Sequence, residues 1–388
     1  MSAIMERIPR ASLVAGALGA IVLVIGFIVA PARAAASYLI AYTACLGVAL
    51  GALALVMIAR VTAANWFVAL RRQAEHVMAT LPAFAVLVIP VLLSMHLLYP
   101  WSTPARLEPA ARAAVEAKTA YLNTPFFVIR SIIYVIAWVL LAERLRNASL
   151  AQDRGEGERA SREMYLLSAG GLIVSAVTVS FASFDWLMSL TPAWYSTIYG
   201  VDYFAGAMVS ALAALAVIVA MERRTAEIPA AVGSDHFHAL AKLLLTFVLF
   251  WVYIGFAQYI VVWSGEIPAE RVWYAVRSRG GWRVVAEILI LGHFALPFCL
   301  LLVQALKRSV AIMAALGAWL LVMHYVDVYW IAMPDAPFSG GWGFVTDAAA
   351  LAFVGGAASA AWAVRRAGIA VVPVADPRLA ASLQYRTD

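Results

Sequence analysis

Long apolar runs separated by short polar connections recur along the whole chain. A helix needs about 20 such residues to cross the hydrocarbon core of a bilayer. The runs are continuous and do not alternate with a period of two, which predicts helices and not barrel strands. Ten spans are predicted, at roughly 13–30, 38–59, 81–99, 125–142, 164–186, 199–221, 239–263, 283–304, 309–331 and 344–364. The first, with "ERIPR" before it and "PARA" after it, resembles a signal peptide. Its run from Leu13 to Ala30 is long enough to cross, and it is read as a retained helix.

The connections 143–163, 222–238 and 264–282 are predicted to be loops. The segment "EPAARAAVEAKTAYLN" reads as a short amphipathic helix on the surface. The small residues of "GGAASAA" predict a close helix–helix approach in the last span. No soluble domain and no internal repeat is evident, so residues 1–388 are taken as one integral membrane domain.

Composition supports this reading. Of the 388 residues 64% are hydrophobic and only 13% charged, against about 25% charged in soluble domains. With the N-terminus inside, eighteen of the 28 Lys and Arg fall on inner segments and eight on outer ones. The positive-inside rule then places both termini in the cytoplasm. The net charge of +6 is mostly this topology signal, and nucleic acid is not implied. Cys45 and Cys299 lie in separate spans with no CxxC, which suits apolar packing.

The remaining signal is where ionisable residues sit in depth, because a charge inside a span is costly and usually faces an interior. The outer half holds His96, Arg130, Asp185, Asp202, Glu287, His324, Asp327 and Asp347; His293 falls near the midplane. Lys242, Asp235 and His238 form a candidate inner entrance, with Glu143 and His236 at the same level. His324 and Asp327, three apart, share a helix face, where a carboxylate can orient an imidazole. Arg130, Tyr134 and Trp138 form one stripe. Asp185 and Asp202 flank the turn in "SFDWLMSLTPAWYSTIYGVDYFAG", a stretch with no Lys or Arg, and are expected to be unpaired acids at one level. Simpler roles compete: Asp202 suits a helix N-terminus, Asp185 a loop cap, His293 packing, Glu287 snorkelling. Many Trp and Tyr stand at predicted helix ends, as interfacial anchors do.

Six histidines at 76, 96, 236, 238, 293 and 324 give no pairs within one span for a di-haem centre. There is no metal-ligand spacing, no nucleophile motif and no paired broken helices of the transporter kind. Proton-coupled chemistry in a polar, outward-biased cavity remains.

The chain resembles the F subunit of alternative complex III, a quinol:electron-acceptor oxidoreductase of bacterial respiratory membranes, within the wider polysulfide-reductase-type (NrfD-like) subunit family. The resemblance rests on ordered segments: "MHLLYPW" (Met95–Trp101), "KTAYLNTPFFVIRSIIYVIAW" (Lys118–Trp138), Ser183–Gly206, "HALAKLLLTFVLFWVYIGFAQYIVVWSGEIPAERVWY" (His238–Tyr274), "GHFALPF" (Gly292–Phe298) and "HYVDVYW" (His324–Trp330). Thr191 and Ala193 stand where that family often carries an acid and a His. The resemblance implies an all-α polytopic protein of two four-helix bundles with flanking helices, in the bacterial inner membrane. It implies a homologous C-type membrane subunit, which is the better candidate for the main quinol site. It also implies a periplasmic iron–sulfur subunit and multihaem cytochrome c subunits as partners; a terminal oxidase can join them. The iron–sulfur clusters and haem c belong to those partners; this chain is expected to hold no redox centre.

On this reading Asp185, His324 and Asp327 are the first relay residues. Arg130 stabilises a nearby carboxylate or quinone oxygen, His96 and Asp202 lead outward, and His293 lies on the way. All are expected to converge in one hydrated pocket. The rival readings are a scaffold docking the periplasmic subunits and a stand-alone secondary transporter.

Overall fold

The computed structural model describes residues 3–107, 109–265, 268–336 and 343–387. Among them there is no strand, and ten helical spans are long and apolar enough to cross a membrane. They are α1 (Arg10–Val29), α2 (Pro31–Val61), α3 (Asn65–Leu93), α4 (Thr124–Asp153), α5 (Gly157–Leu190), α6 (Tyr199–Arg224), α7 (Ser234–Gly265), α8 (Gly280–Leu302), α9 (Val310–Asp335) and α10 (Gly343–Arg366). The chain has the fold of an all-α, multi-pass membrane protein.

α2 and α6 are buried along most of their length and pack on each other. A Cβ on Gly51 would lie 2.1 Å from the Ala207 carbonyl oxygen, so only glycine permits this approach. α3 and α5 pack on α2, and α4 packs on both of them; α7 and α9 pack on α6, and α8 packs on both of them. The result is two four-helix groups joined along the α2–α6 seam, flanked by α1 and α10. Gly16 and Gly356 bring α1 and α10 into backbone contact within the "GGAASAA" segment.

Several boundaries differ from the sequence reading. The charged stretch 143–163 is mostly helix: α4 runs on to Asp153 and α5 starts at Gly157. Its Glu, Arg, Leu and Ala favour helix whether or not lipid surrounds them, and only Gly155, with φ of 100°, breaks it. The connection 222–238 shrinks because α6 reaches Arg224 and α7 starts at Ser234. The connection 264–282 contains a helix, Pro268–Arg277. The expected surface helix is present as Pro109–Glu116; Glu108 lies outside the described residues. α3 is a chain of short helices, in which Pro82 and Pro90 each stand in the first turn of a new segment.

α8 contains a π turn, Leu289–Ala295. Leu296 N–H bonds the Leu291 carbonyl five residues back. Pro297, next in line, has no N–H to give Gly292. The Gly292 carbonyl instead accepts from Trp319 Nε1 of α9 at 2.7 Å.

After α10 the chain folds back over one end of the bundle, called here the tail end. Gln73 Nε2 donates to Val371 O (2.8 Å), Ala69 N to Ser382 Oγ (3.0 Å), and Arg71 pairs with Asp376. Arg71 and Arg72, which fall between the predicted spans 38–59 and 81–99, are buried and paired with Glu75, Asp153 and Asp376.

Candidate functional site

The ionisable residues of the spans do not share one pocket. They form two separate constellations, one in each four-helix group.

The first joins α4 to α5. Arg130 Nε and Nη2 donate to Asp185 Oδ2 and Oδ1, both at 2.8 Å, and Tyr134 OH donates to Oδ2 at 2.8 Å. The third guanidinium nitrogen, Nη1, bonds the Tyr121 carbonyl at 2.9 Å, and the guanidinium lies over the Tyr121 and Phe126 rings at 3.8 and 4.2 Å. Asp185 is completely buried. It is therefore not the unpaired acid expected from its stretch: its base arrives from another helix. The turn beyond it is pinned by Trp186 Nε1 to Ser131 Oγ (2.9 Å) and Trp101 Nε1 to Ser189 Oγ (3.0 Å). Nearby Lys118 donates to the Pro192 carbonyl at 2.6 Å, and burial holds its ammonium below the usual lysine range. Burial, and then the Asp185 charge, push the Tyr121 phenol upward.

The second constellation lies among α6, α7, α8 and α9. Asp327 stands eight residues before the end of α9, about 12 Å along its axis. Its Oδ2 accepts from Trp251 Nε1 of α7 at 3.1 Å. The other face of Trp251 stacks on His293, centroids 4.1 Å apart. His293 is fully buried, and neither ring nitrogen has a partner. His324, also buried, bonds the Ala44 carbonyl through Nε2 at 3.2 Å. The carbonyl only accepts, so Nε2 carries the proton and Nδ1 is left as an unpartnered acceptor. A Cβ on Gly206 of α6 would sit 3.2 Å from Asp327 Oδ2 and 3.4 Å from His324 Nδ1. Both groups thus face one glycine, but no hydrogen bond joins them. The Ala44 carbonyl, not Asp327, orients the imidazole.

Asp202 lies one turn before Gly206 on the same face of α6 and is half-buried. The hairpin brings Asp185 and Asp202 to the same end, as expected, but turns them into different helix groups. His96 is exposed and belongs to neither. Glu287 pairs with Arg283 at the surface.

At the tail end, Asp235 accepts from Thr387 Oγ1 (2.8 Å) and pairs with Arg308 (3.2 Å), while His238 Nδ1 bonds Thr387 Oγ1 (2.9 Å). Lys242 is exposed. The chain's last residues therefore cover Asp235 and His238. Between His238 and Trp251, α7 turns apolar residues such as Leu244 and Val248 inward, and no polar side chain of α7 links this end to Asp327.

Besides the charges at the tail end, sequence reading missed the burial of Arg33 and Arg277. Arg33 pairs with Asp347, which also accepts from Ser37 Oγ at 2.6 Å. Arg277 is enclosed by Asp335, the Trp273 ring and the Trp330 carbonyl. Both were counted as outer-loop charges. The signal available was an Arg beside aromatic residues, but its partners lie far away in sequence. Among the described residues no three His, Cys, Asp or Glu are grouped to hold a metal. No family model matches the chain, and no curated protein matches it.

Proposed function

We propose that the chain is an integral membrane subunit of a quinol-oxidising respiratory complex of the alternative complex III kind, in the place of its F subunit. In this reading it lies in a bacterial inner membrane with both termini in the cytoplasm, and carries protons, not electrons. The homologous membrane subunit, the iron–sulfur protein and the multihaem cytochromes c are its partners. The support is the ordered set of segments from Met95 to Trp330 that resemble that family.

One observation carries the proton role: buried Asp327, whose Oδ2 accepts from Trp251, shares its helix group with the buried imidazoles of His324 and His293, which leave three ring nitrogens unpartnered. Buried polar groups are normally satisfied, and exceptions ask for a functional account. Asp327 would accept a proton, His324 Nδ1 would accept it across the space opened by Gly206, and Asp202 would pass it to the end of the bundle. This arrangement suits release at the end away from the tail. It gives no support to passage from end to end, since Asp235 and His238 are separated from Asp327 by apolar side chains.

The scaffold reading has its own observation, the saturated Arg130–Asp185–Tyr134 clamp. The two roles are compatible, one per helix group. Replacing Asp327 with Asn in the assembled complex tests the proton role: assembly intact with quinol-driven turnover down at least tenfold supports it, and unchanged turnover overturns it. Recovery of the chain in mild detergent without any multihaem cytochrome c or iron–sulfur partner overturns the complex assignment.

A further inference from the structure

Two apolar crevices run along α6 near the tail end. The first, about 320 Å³, lies between α6 and α10 over α2, and its walls include Val217, Met221, Ala358 and Trp362. The second, about 280 Å³, lies between α6 and α9, walled by Val217, Met221, Ala311, Ala314 and Arg224. The crevices share Val217 and Met221, so they adjoin across one ridge of α6. Small side chains open both, and the charged wall residue is Arg224, in the second.

Arg224 continues that ridge, three residues past Met221 and seven past Val217, in the last turn of α6. It is exposed and makes no hydrogen bond or ion pair with any described residue. Its neighbours are already engaged: Arg223 with the Val232 carbonyl, Arg366 with Glu222 and Glu227, Arg308 with Asp235. In the first crevice Trp362 Nε1 is a buried donor without an acceptor. Two adjoining apolar slots, a cation with no partner among the described residues on the wall of one, and one spare N–H in the other match a molecule with two hydrocarbon chains and one anionic, oxygen-rich head.

We infer that this groove binds an anionic phospholipid, one acyl chain in each crevice, with its phosphate on Arg224 and an ester oxygen within reach of Trp362 Nε1. Basic pockets between membrane helices commonly select such headgroups. The inference is independent of the quinol reading and of which side of the membrane the tail occupies.

The test uses the full chain in nanodiscs of equal parts phosphatidylcholine and phosphatidylglycerol, extracted gently and weighed by native mass spectrometry. The wild type should retain phosphatidylglycerol in preference to phosphatidylcholine. Arg224→Gln, a surface change, should lower retained phosphatidylglycerol about fivefold. Ala314→Leu, which fills the second crevice without changing charge, should lower retention of both lipids. Arg144→Gln, an exposed arginine of α4, should change nothing. Equal retention of the two lipids by the wild type, full retention by Arg224→Gln, or an equal loss in Arg144→Gln would overturn the inference.

Discussion

The Arg130–Asp185 and Asp327–His324 clusters treat buried charge in opposite ways. In the group around α2, Asp185 has every strong partner it can use: a two-pronged guanidinium and a phenol. In the group around α6, Asp327 has one indole N–H, and two neighbouring imidazoles leave three ring nitrogens unpartnered. A saturated site is fixed, because moving a proton onto Asp185 would strand Arg130 in a dry interior. An unsaturated site can change protonation with less rearrangement. The contrast assigns rigidity to one cluster and proton exchange to the other, although both looked alike as acids within apolar spans.

The sharpest way to break the contrast is Asp185→Ala, which leaves a buried guanidinium unpaired. We expect a loss of about 3–5 kcal/mol and little assembled protein, read by thermal melting monitored by size exclusion. The paired change Arg130→Met with Asp185→Leu should recover most of that loss. A well-folded Asp185→Ala protein with impaired turnover alone would instead move Asp185 into the proton-carrying class.

Gly206→Ala is expected to cost about 1–3 kcal/mol by overpacking, since its methyl would press on Asp327 and His324. Turnover should fall with it. Normal turnover in a stable Gly206→Ala protein would show that the gap between the two groups has no role. Asp327→Asn retains an oxygen for Trp251, so its stability should change by about 1 kcal/mol or less, while proton-coupled turnover is lost.

The smallest effect concerns the tail, which follows the saturated pattern. Burial alone would raise the Asp376 carboxyl, but Arg71, the Arg378 backbone and side chain, and Arg60 outweigh it and hold it below the usual range. A depressed carboxylate adds stability that is complete above its unfolded value, about 3.9, and is lost as pH falls through the lower folded value. Protection of residues 367–387 against hydrogen exchange, corrected for the intrinsic pH dependence of the amides, should therefore be flat from neutral pH down to about 4 and fall below it. Protection that already falls near pH 6 would place the control of the tail elsewhere, at His236 or His238.

The spans were legible because apolar length is a local property. Residues Leu13–Ala30 and Ile312–Trp330 show it without any knowledge of neighbours. Helix extent beyond the lipid was not legible from hydropathy: the charges of Arg144 to Arg162 look like a loop on that scale, yet their backbone preference is helical. Pairing was the least legible feature. Arg130 finds Asp185 across 55 positions, Arg33 finds Asp347 across 314, and only tertiary packing selects them. The three-residue spacing of His324 and Asp327 did predict a shared face. It did not predict that Ala44, on α2, would take the imidazole proton.

The widened turn in α8 has a mechanical corollary. It accommodates one more residue than an ordinary turn would. Deleting one position between 289 and 295 other than 293 would let the coil tighten to an ordinary turn: the flanking halves would keep their register, and the residues inside the turn would shift around its axis. The ring at 293 would then leave its indole platform while every residue type there stayed the same. Chain count, as much as chemistry, keeps that imidazole over Trp251.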